Sequence, residues 1–163
     1  MRYLIYTRQS FSGEDILIKT PDGQDAFFVS NRTFFATLKC SFQDMHGRDL
    51  AHFRERQLKW WATYEIYREG KLSAVVKRRL LPLTCHRFTV DVPGQNGLEA
   101  RARFLDIDYT LSRGGNPVAK VAPTWTGGQE HSRVDIADGE DNVFALTIVV
   151  AIYRSLTSSN VGY

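Results

Sequence analysis

A chain of 163 residues, 43% apolar and 24% charged, has the length and composition of one ordinary soluble domain with a sizeable core. Its net charge of +3 tolerates an anionic partner without demanding one, and falls short of the basic excess typical of nucleic-acid binders. Two cysteines, Cys40 and Cys85, are too few for a disulfide scaffold and fit reduced, buried thiols better.

The N-terminus has only Tyr3-Leu4-Ile5-Tyr6 between Arg2 and Arg8, far short of a signal-peptide core, so a cytoplasmic location is expected. Strand and turn signals then alternate at short intervals. Ile16 to Ile18 and Ala26 to Val29 flank a turn at Pro21-Asp22-Gly23. Leu38 to Phe42 and Leu50 to Arg54 flank His46-Gly47. Tyr64 to Tyr67 and Leu72 to Val76 flank Glu69-Gly70. Tyr109 to Ser112 and Val118 to Val121 flank Gly114-Gly115. Four hairpins with single strands between them mark an all-β chain.

Alternation is cleanest in the second half. Ala100, Ala102 and Phe104 share one face, opposite Glu99, Arg101 and Arg103. From Leu105 the apolar parity switches to Leu105, Ile107, Tyr109 and Leu111, which implies a bulge or tight turn at Phe104-Leu105. There is also an internal echo. Tyr64-Glu65-Ile66-Tyr67-Arg68-Glu69-Gly70 resembles Tyr109-Thr110-Leu111-Ser112-Arg113-Gly114-Gly115, and Thr89 to Val92 resembles Arg133 to Ile136. One supersecondary unit used twice inside a closed sheet explains both.

The last apolar run, Val143-Phe144-Ala145-Leu146-Thr147-Ile148-Val149-Val150-Ala151-Ile152-Tyr153, is too short for the roughly 20 residues a bilayer span needs. The acidic stretch Asp138-Gly139-Glu140-Asp141 before it reads as a helix start. A helix apolar on all sides must be buried on all sides. The fold predicted is therefore mainly β, a closed antiparallel barrel of about twelve strands around a central buried C-terminal helix, as a single domain over residues 1–163 with the helix at about 141–156. The alanines at 100 and 102 would let the helix approach the wall.

The ordered set Tyr64 to Gly70, Phe88-Thr89-Val90-Asp91-Val92-Pro93-Gly94, Val134 to Asp141 and the apolar helix resembles the LURP-one-related proteins, whose fold is similar to tubby C-terminal domains and phospholipid scramblases. The resemblance spans essentially the whole chain and implies a twelve-stranded barrel around a buried helix. It implies little about activity: plant relatives are linked to defence, and tubby domains bind phosphoinositides.

The residues themselves offer few chemical sites. His46, His52, His86 and His131 lack the spacing of a zinc helix and read as turn or surface histidines. Cys40 would need a histidine base to act as a nucleophile. The acidic run Asp135, Asp138, Glu140 and Asp141 does not match a calcium loop, and helix capping explains it. An anionic surface is better supported. Lys77-Arg78-Arg79 forms a compact basic cluster at a strand end, with Arg87 beyond the next turn, and Lys59-Trp60-Trp61 sets two amphipathic aromatics beside a cation. Arg101 and Arg103 add to it.

The function expected is a non-catalytic binding or scaffold domain docking to anionic phospholipid or phosphoinositide through Lys59, Trp60, Trp61, Lys77, Arg78, Arg79 and Arg87. The alternative is a protein-interaction adaptor or nucleic-acid-binding module with no lipid role. No enzyme activity, cofactor or metal site is expected. The expected state is a cytoplasmic monomer, peripheral at the membrane, whose partner is an anionic membrane surface or a protein.

Overall fold

Apolar alternation broken by tight turns folds the chain into a meander of twelve strands and a final helix. The computed structural model describes residues 1–10, 13–34, 37–58, 61–80, 85–103 and 108–158. The strands are β1 (Arg2–Ser10), β2 (Gly13–Lys19), β3 (Asp25–Phe34), β4 (Thr37–Asp44), β5 (Asp49–Leu58) and β6 (Trp61–Arg68). They continue as β7 (Lys71–Leu80), β8 (Cys85–Asp91), β9 (Leu98–Arg103), β10 (Tyr109–Arg113), β11 (Asn116–Thr126) and β12 (Gln129–Ile136). The helix, α1, is Asn142–Ser158.

Each strand pairs antiparallel with its chain neighbours, and β1 pairs with β12 to close the barrel. Closure removes the open edges that a twelve-stranded sheet would otherwise present. The Met1 ammonium donates to the Ile136 carbonyl at 2.8 Å, and the Ile136 N–H returns a bond to the Met1 carbonyl at 2.8 Å. Odd-numbered connections and even-numbered ones lie at opposite ends. The end where α1 begins is the proximal end, and the end where it finishes is the distal end.

The inward face is apolar. Ile16, Ile18, Val29, Phe42, Ile66, Phe88 and Leu111 are fully buried. The outward face carries Lys19, Lys77, Arg79, Glu99, Arg101 and Lys120. A lipid-embedded barrel has the reverse arrangement, with an apolar outside and a polar lumen. The two echoed segments occupy equivalent hairpins. Register shifts fall at Ile66/Tyr67 in one and Leu111/Ser112 in the other. Their turns are Glu69-Gly70 (φ 49° and 74°) and Gly114-Gly115 (φ 55° and 83°). Two successive residues at positive φ make the tight turn whose twist suits a hairpin.

The helix fills the interior. Ala145 to Ile152 are all buried, more than two full turns with no solvent-facing side. It makes its closest backbone approaches to β5, β6, β7 and β11. Ala74 of β7 and Ala100 and Ala102 of β9 are small side chains buried in the core. Asp141 caps the helix: its Oδ1 accepts from the Phe144 N–H at 3.0 Å. The helix thus starts one residue later than the sequence suggested and runs two residues further. The parity switch expected at Phe104-Leu105 falls between β9 and β10, on residues outside the described set.

Candidate anion-binding surface

Alternation and register together build a row of arginines. On β7, Lys77 and Arg79 point outward and are exposed, because Ala74 and Val76 of the opposite parity face the core. Arg79 lies directly opposite Arg87 of β8, which lies directly opposite Arg101 of β9. Three guanidinium side chains therefore stand side by side across three strands. Directly opposed like charges destabilise a sheet. Glu99 relieves Arg87, at 3.1 Å, and Asp91 holds Lys77, at 2.6 Å. Among the described residues, Arg79 and Arg101 take part in no ion pair. Beside the row, among the described residues, β9 and β10 pair only at Ala100–Leu111 and Glu99–Ser112. A cleft of about 520 Å³ opens there, lined by Glu99, Arg101, Asp108, Tyr109, Thr110 and Ser112.

The sequence cluster is corrected at its centre. Arg78 shares the inward parity of Ala74 and Val76 and is 9% exposed, so it is not part of the outer surface. Its Nη1 donates to the Ser155 carbonyl at 2.7 Å, and its Nη2 lies 2.9 Å from His86 Nδ1. A cation on one of the last carbonyls of α1 satisfies an acceptor the helix leaves open and complements its dipole. Arg154, also 9% exposed, donates from Nη2 to the Glu14 carbonyl at 2.7 Å. Burial and the adjoining Arg78 charge hold the His86 imidazole below its ordinary range.

The other sequence readings sort as follows. Lys59 and Trp60 lie outside the described residues, and Trp61 enters only as the first backbone position of β6. The ends of β6, β7 and β8 that carry Trp61, Arg79 and Arg87 all face the distal end. Arg101 was weighed as an accessory cation, and the β8–β9 register makes it a full member of the row. His46 and His52 are exposed, as expected, but His86 and His131 are buried. His131 stacks on Tyr6 with ring centroids 4.5 Å apart. Cys40 is a free, buried thiol, raised in pKa by its burial and 3.7 Å from Asn31 Oδ1.

At the proximal end the acidic run meets its partners. Arg68 Nη1 donates to Asp141 at 2.6 Å, and Arg113 Nη1 to Glu140 at 2.8 Å. These are the arginines of the two echoed segments, so the repeated unit grips the helix start twice. Burial pushes the Asp141 carboxyl up, but Arg68 and the Phe144 N–H outweigh it and hold the group below the usual range. Asp135 is lowered by its hydrogen bond from Arg2, at 2.6 Å. Capping and ion pairing thus account for Asp135, Glu140 and Asp141.

A closed antiparallel barrel threaded by its own C-terminal helix, polar outside and apolar within, defines a class of helix-plugged β-domains. The family model for LURP-one-related proteins matches residues 2–153, and the chain belongs to that family. Membership fits a non-catalytic, tubby-like domain. No curated protein sequence matches the chain. Among the described residues, no helix is long and apolar enough to cross a membrane.

Proposed function

We propose that this barrel is a non-catalytic docking domain whose distal end engages anionic phospholipid headgroups. The observation that carries the reading is the cross-strand row Arg79–Arg87–Arg101. An anion laid across it would relieve the repulsion that the bare sheet retains, and arginine presents a fork of donors suited to phosphate oxygens. The ends of the barrel also differ in charge. Connections at the proximal end carry Asp22, Glu69, Asp138, Glu140 and Asp141 against one cationic side chain, Arg48. The arginine row at the distal end would orient the molecule on a negative surface.

Co-sedimentation with anionic and neutral vesicles across a salt series tests this. Wild type should bind anionic vesicles at low salt and release them as salt rises, since exposed charges are screened beyond about 8 Å at physiological ionic strength. Each cation near such a surface contributes about 1 kcal/mol, so replacing Arg79, Arg87 and Arg101 by Gln should weaken binding roughly a hundredfold. Indifference of wild type to anionic vesicles at low salt would favour a protein-interaction adaptor instead.

A further inference from the structure

We infer that the β11–β12 hairpin is a membrane-anchoring arm that seats Trp125 in the bilayer interface; the inference rests on the docking reading above. Among the described residues, β10 pairs with β11 no further than Val121, and β1 pairs with β12 no further than Ser132. The β11–β12 ladder continues past both, through Thr124–His131, Trp125–Glu130 and Thr126–Gln129. Among the described residues the last rungs therefore stand as a two-stranded arm at the distal end, the end that carries the arginine row. Trp125 continues the inward parity of Val121, yet Val121 is buried and Trp125 is 67% exposed. A parity that serves the core lower in the strand here points a large aromatic at solvent.

Among the described residues the other exposed large apolar side chains, Met1, Met45 and Leu72, belong to the proximal end, beside its acidic connections. Trp125 is the most exposed of the four. Tryptophan has an apolar body and one N–H donor, which suits the headgroup boundary, where one side is apolar and the other wet. The arm closes with Gly127-Gly128 at φ 61° and 80°, a two-residue turn with no side chains to hold the ring away from lipid. Thr124, Thr126 and Gln129 are polar but uncharged, so little desolvation opposes insertion. Glu130, opposite Trp125, is the one carboxylate on the arm, and it sets a limit on how closely an anionic surface is approached.

The roles divide cleanly. The arginines supply a salt-sensitive attraction, and Trp125 supplies an apolar contribution that salt leaves in place. Trp125→Ser should weaken binding to anionic vesicles on the order of tenfold to a hundredfold, from the apolar area a tryptophan buries, with the same fold-loss at low and high salt. Glu130→Gln should strengthen binding several-fold, and most at low salt. Brominated acyl chains should quench wild-type fluorescence more than that of Trp125→Phe. Thermal midpoints of the variants, unchanged because the site is exposed, confirm that each is folded.

If wild type binds and Trp125→Ser binds equally well, with equal quenching of wild type and Trp125→Phe, the arm is no anchor and the arginine reading stands alone. If wild type binds no anionic vesicle at low salt, the docking reading fails and this inference falls with it.

Discussion

Arg78→Met should lower stability by roughly 1–3 kcal/mol, the cost of leaving a buried acceptor such as the Ser155 carbonyl without its charged donor. Arg79→Met, one residue on, should change it by about 0.5 kcal/mol or less, as exposed substitutions usually do. Denaturant midpoints of the two variants check the contrast, and equal losses would overturn the face assignment of β7. His86 adds a pH dependence. Its ordinary value is 6.5 and its folded value is lower, so the native state binds fewer protons than the unfolded chain in between. That contribution is fully present above about pH 6.5 and is lost as pH falls from there through the folded value. The wild-type melting midpoint should therefore decline on acidification below about 6.5, and His86→Gln should flatten that slope. The burial of Arg78 was legible in principle, since Ala74, Val76 and Arg78 share one parity. Three cations adjacent in sequence read as one cluster, yet adjacency along a strand is separation across it.

At the level of elements, the hairpins were the most readable part of the chain. Turn residues such as Glu69-Gly70 and Gly114-Gly115 sit between alternating runs, and both turns formed where those signals placed them. The apolar run beginning at Val143 likewise marked the helix, whose residues Ala145 to Ile152 are buried on every side. Register was not readable. Arg79, Arg87 and Arg101 have no common spacing along the chain, and only the pairing of β7 with β8 and β8 with β9 lines them up. The exposed Trp125 was missed for a related reason. Alternation assigns it to the core face, and only the lengths of neighbouring strands reveal that the core has ended there. One turn also carries a correctable strain. Glu69 holds φ at 49°, a left-handed conformation that costs an ordinary residue about 1–2 kcal/mol and that asparagine tolerates. Glu69→Asn should raise stability by roughly 0.5–1 kcal/mol, measured as a higher denaturant midpoint with an unchanged slope.

For the whole molecule, the helix is the core as much as the barrel is. Leu146, Ile148, Val149, Val150 and Ile152 are each at most 1% exposed, and fully burying a side chain of this kind contributes roughly 1.5–3 kcal/mol. Together they match the net stability of about 5–15 kcal/mol that a typical domain possesses. Ending the chain before Gly139 should therefore yield insoluble or molten material, with no cooperative melting transition. A soluble truncation that melts cooperatively would show that the wall can collapse on itself.

The pairing of β1 with β12 also governs how the chain can be made. Arg2 and Asp135, which meet at the seam, are 133 residues apart. At a synthesis rate of about 5–20 residues per second, β12 emerges roughly 7–27 s after β1. Throughout that interval the growing meander has two unpaired edges and an apolar inner face with nothing against it. The helix that fills the interior follows all twelve strands in the chain. Long-range pairings of this kind fold slowly and leave strand edges open to misassociation. The open edges and the unfilled interior close only once β12 and the helix that follows it have been made.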